Sequence, residues 1–361
     1  MKNVRVHLGE RSYTIRIGAD ALGDIGKVCL RHFRGARALV VTDTNVAPLY
    51  AEKTLASLAA AGVQASVLRI PAGEASKSMR QLSRILDRMA SMRLDRGCGA
   101  VALGGGVVGD VAGFAAAVFL RGVPYVQAPT TLLAQVDSAV GGKTAVDHKL
   151  GKNLVGAFHQ PIAVVSDTST LKTLPEREFR AGLTEVVKHA AIADARLFSF
   201  LEKNEARILD RDEDVMGRVV ATNCRIKAKV VEQDERESGL RQILNYGHTL
   251  GHAVEALAGY SSELLHGEAV AIGMSAASRI SCAMGCCASG DVERLTALLA
   301  RFGLPTRMAE PPKLAVLKRL LASDKKTRRG SPRFVLMRKI GEVEPEVEVP
   351  PRLWRGALAG S

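Results

Sequence analysis

The sequence predicts a two-domain protein: a Rossmann-like α/β domain built on a parallel sheet, followed by a mostly helical domain. Three observations predict it. Short apolar runs alternate with amphipathic helical patterns through the first half of the chain. A glycine-rich loop lies between one such strand and the helix after it. Past Thr173-Leu174-Pro175 the periodicity turns helical, with few strand signals. The expected domains are residues 1–175 and 176–361, and 361 residues that are 47% apolar suffice for two cores.

In chain order, residues 1–18 (MKNVRVHLGERSYTIRIG) form two alternating runs around Gly9-Glu10, a β-hairpin pattern. They lack the apolar core of a signal peptide. ARALVVTD (36–43) is a short apolar strand, and AEKTLASLAAAG (51–62) an amphipathic helix stopping at Gly62. QASVLRIP (64–71), SMRQLSRILDRMASM (78–92) and GAVALGGG (99–106) continue the rhythm as strand, helix and buried strand. PYVQAPT (124–130) and IAVVSD (162–167) are further strands, and PRFVLMRKIG (332–341) a late strand-like piece. Residues 99–120 are the most membrane-like, but Asp110 and the glycines favour a buried strand, loop and helix over a span. A cytoplasmic protein with no membrane partner is expected.

Net charge is +13, from 50 Lys+Arg against 37 Asp+Glu, which favours anionic ligands. Nucleic acid is not among them: aromatics are 4%, too few to stack bases, and the one dense basic run is KKTRR (325–329). The six cysteines do not make a disulfide framework in a chain of this length. Cys282, Cys286 and Cys287 crowd one segment with no second Cys/His pair nearby, so they read as free thiols.

Gly104, Gly106 and Gly109 of LGGGVVGD (103–110) fit GxGxxG between a strand and the helix VAGFAAAVFL (111–120). Bare backbone at a helix N-terminus suits a diphosphate; the alternative is a tight turn where helix and sheet pack closely. The acidic residue expected about 20 positions later is absent, and Asp43 could serve instead. GGKTAVDHKLGKN (141–153) fails as a P-loop, because Asp137 stands where the first glycine is needed. Lys143 and Lys152 still flank glycines and suit an anionic group, unless they are solvated surface lysines.

NYGHTLGHAVEAL (245–257) sets His248, His252 and Glu255 at spacings of four and three, one face of a helix. HGEAVAIGMSAASRI (266–280) opens another helix at His266, and AGLTEVVKHAAIA (181–193) carries Glu185 with Lys188 and His189 nearby. One carboxylate and two imidazoles leave zinc an open position, the catalytic arrangement. The alternatives are an i,i+3 pair of Glu185 with Lys188, and histidines that merely end helices. Gly247, Gly251 and Gly267 each cost a helix roughly 1 kcal/mol relative to Ala, so a close approach of backbone or ligand is expected beside them.

Taken together, PAGEASK (71–77), ALGGGVVGDVAGFAAAVFLRG, QAPTTLLAQVDSAVGGKTAV, LGKNLVGAFHQP, LPEREFRAGLTEVVKHAAI, DERESGLRQILNYGHTLGHAVE, LHGEAVAIGM and DKK are far more specific. In order and spacing, over most of its length, the chain resembles the 3-dehydroquinate synthase family of sugar-phosphate cyclases. The resemblance implies one divalent metal, zinc or cobalt, on Glu185, His248 and His266. It makes His252 an acid–base residue beside the metal, not a ligand, with Lys143, Glu237 and Asp137 in the same catalytic pocket. It implies NAD held by Asp43, by Ala72, Gly73, Glu74, Ala75, Ser76 and Lys77, and by Gly106, Val107, Val108, Gly109 and Asp110. Thr130, Thr131, Lys143, Lys152, Thr170, Leu171, Lys172 and Thr173 complete that set. Substrate would meet Arg121, Lys152, Asn153, Lys188, Lys227, Arg241, Asn245 and Lys325.

The implied reaction converts 3-deoxy-D-arabino-heptulosonate 7-phosphate to 3-dehydroquinate and phosphate, within the shikimate pathway. It runs through transient oxidation by NAD, β-elimination of phosphate, re-reduction and aldol closure. The family also implies a homodimer. Asp147-His148-Lys149 stands where the family often has Asn-His-Pro, and His159 where it often has Tyr. The nearest rivals are a metal-dependent polyol dehydrogenase, which would release NADH and against which the lysine pair and DERESGLRxxLN argue, and a cyclase for another sugar phosphate, from which Arg241, Asn245 and Lys227 set the dehydroquinate type apart.

Overall fold

The computed structural model describes residues 1–259, 263–322 and 332–360. By backbone contacts it divides into two units: Met1–Leu174 with Met216–Glu232, and Pro175–Val215 with Gln233–Ser361. Helical periodicity alone had put all of 176–361 in the second domain. The segment Met216–Glu232 departs from that because a helical stripe shows that a face is buried, not which core receives it.

The first unit contains strands β1 (Lys2–Val6), β2 (Tyr13–Gly18), β3 (Arg37–Asp43), β4 (Gln64–Ile70), β5 (Gly99–Gly104), β6 (Tyr125–Pro129), β7 (Lys143–His148), β8 (Gly151–Phe158) and β9 (Ala163–Asp167). Its helices are α1 (Ile25–His32), α2 (Ala47–Ala60), α3 (Met79–Ser91) and α4 (Gly106–Val118). One sheet runs β1-β2-β9-β6-β5-β3-β4. β1 and β2 pair antiparallel, as the N-terminal hairpin pattern predicts, and the other neighbours pair parallel. β5 and β6 are buried along their whole length, which is why β5 reads as an unbroken apolar run and β6 as one broken only at Gln127, rather than as alternating patterns.

Alternate residues of the central strands feed two cores. Leu39, Val41, Ala100 and Ala102 pack with Leu82, Ile85 and Met89 of α3 and Val111 and Ala115 of α4. Ala38, Val40, Val101 and Leu103 pack with Ile25 and Cys29 of α1 and Leu58 of α2. The period of two along each strand therefore puts helices on both faces of the sheet.

Two elements differ from expectation. α4 begins at Gly106, inside the glycine loop, because the open first turn of a helix tolerates glycines that its interior would not. β7 and β8 form an antiparallel hairpin in a stretch to which the sequence pattern assigned no element. Its second strand has no buried residue and bears glycines, so the alternation that marks a half-buried strand is faint.

In the second unit α5 (Glu176–Ala193), α6 (Ala195–Lys203) and α7 (Glu205–Leu209) lead into α8 (Glu213–Gln233), whose larger part belongs to the first unit. Then follow α9 (His248–Leu257), α10 (His266–Ala283), α11 (Ser289–Arg301), α12 (Leu314–Ala322), the hairpin β10 (Arg333–Lys339) and β11 (Glu342–Glu348), and α13 (Arg352–Ala359). α10 is buried along most of its length, and with α9 it packs against Leu317, Phe334 and Trp354. All six cysteines are free thiols. Among the described residues no helix is long and apolar enough to cross a membrane. Lys325 and the basic run around it lie outside the described residues.

Candidate active site

The second unit brings its strongest candidates to one point. Glu185 lies mid-way along α5 and is 1% exposed. His248 and His266 are the first residues of α9 and α10. One ligand atom from each of Glu185, His248 and His266 lies within 4.8 Å of the other two. His248 Nε2 is 3.8 Å from Glu185 Oε1, and the His248 and His266 rings are 5.5 Å apart. Ligands about 2.0–2.1 Å from a tetrahedral zinc lie roughly 3.4 Å apart, so small side-chain movements close this set on a cation.

The far side of each ring fits the same use. Nδ1 of His248 lies 3.2 Å from the Tyr246 carbonyl, and Nδ1 of His266 lies 3.1 Å from Oε2 of the buried Glu255. A carbonyl or carboxylate on one ring nitrogen is how metal-bound histidines are oriented, with the other nitrogen turned to the ion. His252, Glu255 and His266 make a second convergent group. There the His266–Glu255 contact is already a hydrogen bond through Nδ1, so Glu255 acts as the partner of the ring. The His252 ring stands edge-on to His248 at 5.4 Å and 6.0 Å from His266, beside the trio. The i,i+3 pairing of Glu185 with Lys188 is also present. It uses Oε2, while Oε1 faces His248, so one carboxylate serves both neighbours.

Two devices hold this arrangement. On α5, Arg177 grips Glu268 through Nε and Nη2, both at 2.7 Å, and its Nη2 also donates to the Glu263 carbonyl. Glu268 in turn accepts from the Leu265 backbone N–H at 2.8 Å, capping the turn that starts with His266. A planar guanidinium fork thus ties the element bearing Glu185 to the start of the helix bearing His266. The second device is the absence of side chains. A Cβ at Gly273 of α10 would come 2.0 Å from the Gly247 carbonyl oxygen, and one at Gly267 would come 2.1 Å from that of Ala181 on α5. The glycines beside the histidines are explained by helices in backbone contact.

Downstream of α8, the turn Leu240–Asn245 carries Arg241, which is 1% exposed, and Asn245. Asn245 Nδ2 donates to Glu237 Oε1 at 3.1 Å. Glu237 has a φ of 59°, in the left-handed region that L-residues seldom adopt.

In the first unit, β5 delivers its glycine loop to the start of α4. A Cβ at Gly109 would meet Gln127 of β6 at 2.8 Å, so this glycine lets helix and strand pack closely, the bland half of the sequence expectation. Lys77 Nζ reaches Asp110 Oδ2 at 2.5 Å, both largely buried. Burial works against the Lys77 ammonium, but Asp110 outweighs it and holds the lysine above its ordinary range. Asp147 N donates to the Lys77 carbonyl, and Lys152 pairs with Glu74 at 3.3 Å. The hairpin tip therefore rests on the PAGEASK segment.

Asp43 Oδ1 accepts from Asn45 N and Val46 N at the end of β3. Thr170 donates to the Thr130 carbonyl at 3.2 Å, Thr173 to that of Thr170 at 3.1 Å, and Thr131 caps Ala134 N. Asp137 lies in a π-helical turn (Ala134–Ser138), a form frequent at functional sites. Its carbonyl and carboxylate take Lys227 Nζ at 2.5 and 2.7 Å. Arg121 and Asn153 have left-handed backbones, with φ of 66° and 54°.

One pair is not brought side by side. Lys143 opposes Phe158 at the foot of the β7–β8 hairpin, whereas Lys152 lies beside the Gly151 that opposes His148 near its tip. They stand several residues, roughly 13 Å, apart along the strands. Among residues given no role by sequence, Glu255 had a signal, its place on the histidine face. Arg177 and Glu268 had none, since 91 positions separate them.

Two family models match the chain: 3-dehydroquinate synthase N-terminal over residues 67–181 and C-terminal over residues 182–327. The 3-dehydroquinate synthase of Pelobacter propionicus is 54% identical over 95% of both chains. That of Symbiobacterium thermophilum is 50% identical over 98% of this chain and 99% of its own. Among solved structures, 2-epi-5-epi-valiolone synthase from Streptomyces hygroscopicus, with NAD+ and Zn2+ bound, has a TM-score of 0.88 and 30% identity, covering 98% of this chain and 97% of that one. A 2-deoxy-scyllo-inosose synthase complexed with carbaglucose-6-phosphate, NAD+ and Co2+ also has a TM-score of 0.88, at 25% identity over 100% of both chains. Both the sequence motifs and the architecture thus lead to one conclusion: the chain belongs to the 3-dehydroquinate synthase family.

Proposed function

We infer that this chain is an enzyme of the shikimate pathway that converts 3-deoxy-D-arabino-heptulosonate 7-phosphate to 3-dehydroquinate and inorganic phosphate. The observation that carries this is the convergence of Glu185, His248 and His266, in a chain about half identical over its length to curated synthases. Relatives at that identity outweigh cyclases of other sugar phosphates at 25–30%.

When bound, NAD supplies a reversible hydride acceptor and the metal a Lewis acid at the hydroxyl being oxidised. Glu185, His248 and His266 would hold that metal, and residues 72–77, the α4 N-terminus over 106–110, Asp43 and the Thr130, Thr170 and Thr173 cluster would hold the dinucleotide. Lys152, Asn153, Arg121, Lys227, Arg241 and Asn245 offer ammonium, guanidinium and amide donors to a substrate with a phosphate and a carboxylate. His252 would carry protons, as imidazole does near neutral pH. Oxidising the hydroxyl at carbon 5 to a ketone makes the hydrogen beside the phosphate-bearing carbon acidic, so a base and an anion-binding pocket suffice to expel phosphate. We read the protein as a cytoplasmic homodimer acting on this small molecule, with no nucleic-acid or membrane partner.

Supplied with the heptulosonate phosphate, NAD and zinc, the protein should release one phosphate per substrate with no lasting absorbance from NADH. Accumulating NADH would indicate a dehydrogenase, and no phosphate release would refute the substrate. A further expected result concerns Glu255→Gln. Weakening the partner of His266 Nδ1 should lower metal affinity by about 10–100-fold, read by competition with a chelator. Unchanged affinity would remove Glu255 from the metal site.

A further inference from the structure

We propose that Asp234 is the positioning residue that sets Glu237, Arg241 and Asn245 for the substrate, an inference that rests on reading those three as substrate-pocket residues. Asp234 follows directly on α8, and its carboxylate folds the next seven residues around itself. Oδ1 accepts from Ser238 N at 2.9 Å and Ser238 Oγ at 3.1 Å; Oδ2 accepts from Gly239 N at 2.7 Å and Arg241 N at 3.0 Å. Four donors on two oxygens close a tight loop.

Each bond has a consequence for the pocket. Ser238 and Gly239, fixed by these bonds, follow directly on Glu237, whose backbone is left-handed. From there Glu237 Oε1 receives Asn245 Nδ2. Fixing Arg241 N pins the origin of a buried guanidinium, whose Nη1 turns back to the Glu235 carbonyl of the same loop. The Asp234 carboxylate thus sets the backbone of Glu237 and Arg241, and through Glu237 it reaches Asn245.

Asp234 opens the segment DERE, which carries three carboxylates in four residues. Partial burial pushes the Asp234 carboxyl up. The Ser238, Gly239 and Arg241 backbone N–H groups outweigh that and bring it down to about 2. Only an ionised carboxylate matches this donor set. Asparagine has the same shape, but its amide nitrogen cannot accept.

Asp234→Asn is therefore the sharp test. With metal content and NAD affinity as in the parent, KM for the heptulosonate phosphate should rise about 10–100-fold, equivalent to about 1.4–2.8 kcal/mol of lost substrate binding. kcat should change less. An unchanged KM in a folded, metal-loaded variant would overturn the proposal. So would a parallel loss of metal and NAD binding, which would mark a general structural role. Arg241→Gln separates the two readings. If it raises KM and Asp234→Asn does not, Asp234 alone is misassigned; if Arg241→Gln leaves KM unchanged, the pocket reading itself is wrong. Should Asp234→Asn fail to fold, Ser238→Ala removes only the Oγ donor. A smaller KM rise would then support the proposal, and no rise would refute it.

Discussion

His248→Ala should leave the purified protein without its metal and lower turnover by at least the roughly 10²–10⁴-fold that a lost catalytic group costs. The reason is geometric. His248 sits between Glu185 at 3.8 Å and the His266 ring at 5.5 Å, with its own Nδ1 turned to the Tyr246 carbonyl. Removing it leaves two donors where three are needed, and the metal loss should exceed the 10–100-fold of Glu255→Gln. His252→Ala provides the contrast. Its ring stands beside the trio at 5.4 and 6.0 Å, so this variant should keep stoichiometric metal while losing rate. Metal per protein, measured by elemental analysis after exhaustive dialysis, decides the matter. Equal depletion in both variants would overturn the division of roles between ligand and proton carrier.

Gly273→Val should produce the largest loss of stability of any single substitution considered. A Cβ there would stand 2.0 Å from the Gly247 carbonyl oxygen and 2.7 Å from Gly251 N, both backbone atoms that no rotamer change can move aside. α9 and α10 would have to separate, and the contact they share also aligns His248 with His266. Overpacking usually costs about 1–3 kcal/mol, and a backbone-to-backbone overlap belongs at or above the top of that range. For a domain of this size each 1 kcal/mol lowers the midpoint by about 2–4 °C, so a drop of roughly 10 °C is expected by scanning calorimetry. Metal affinity should fall with it. Gly290 on α11 is the control. A Cβ there meets nothing within 4 Å, so Gly290→Ala should be neutral or stabilise by up to about 1 kcal/mol. A Gly273→Val protein that melts with the parent would show that the helices are not in the contact described.

The sequence by itself determined the parts. Alternating apolar runs specified the parallel sheet because a strand buried on both faces is nearly continuous in apolar residues, as β5 is throughout and β6 is except at Gln127. The spacing of His248, His252 and Glu255 specified one helix face, since 3.6 residues per turn is a local property. Motif order specified the family. What the tertiary structure decided was everything that joins distant residues. It sent Met216–Glu232 to the first unit and made a hairpin of 143–158. It gave Glu255 to His266 rather than to a metal, clamped Arg177 on Glu268, and explained the glycines through the α9–α10 and α5–α10 contacts. These are contacts between groups that no local period relates. Their energy depends on separations of a few tenths of an ångström, fixed only once the helices and strands have packed.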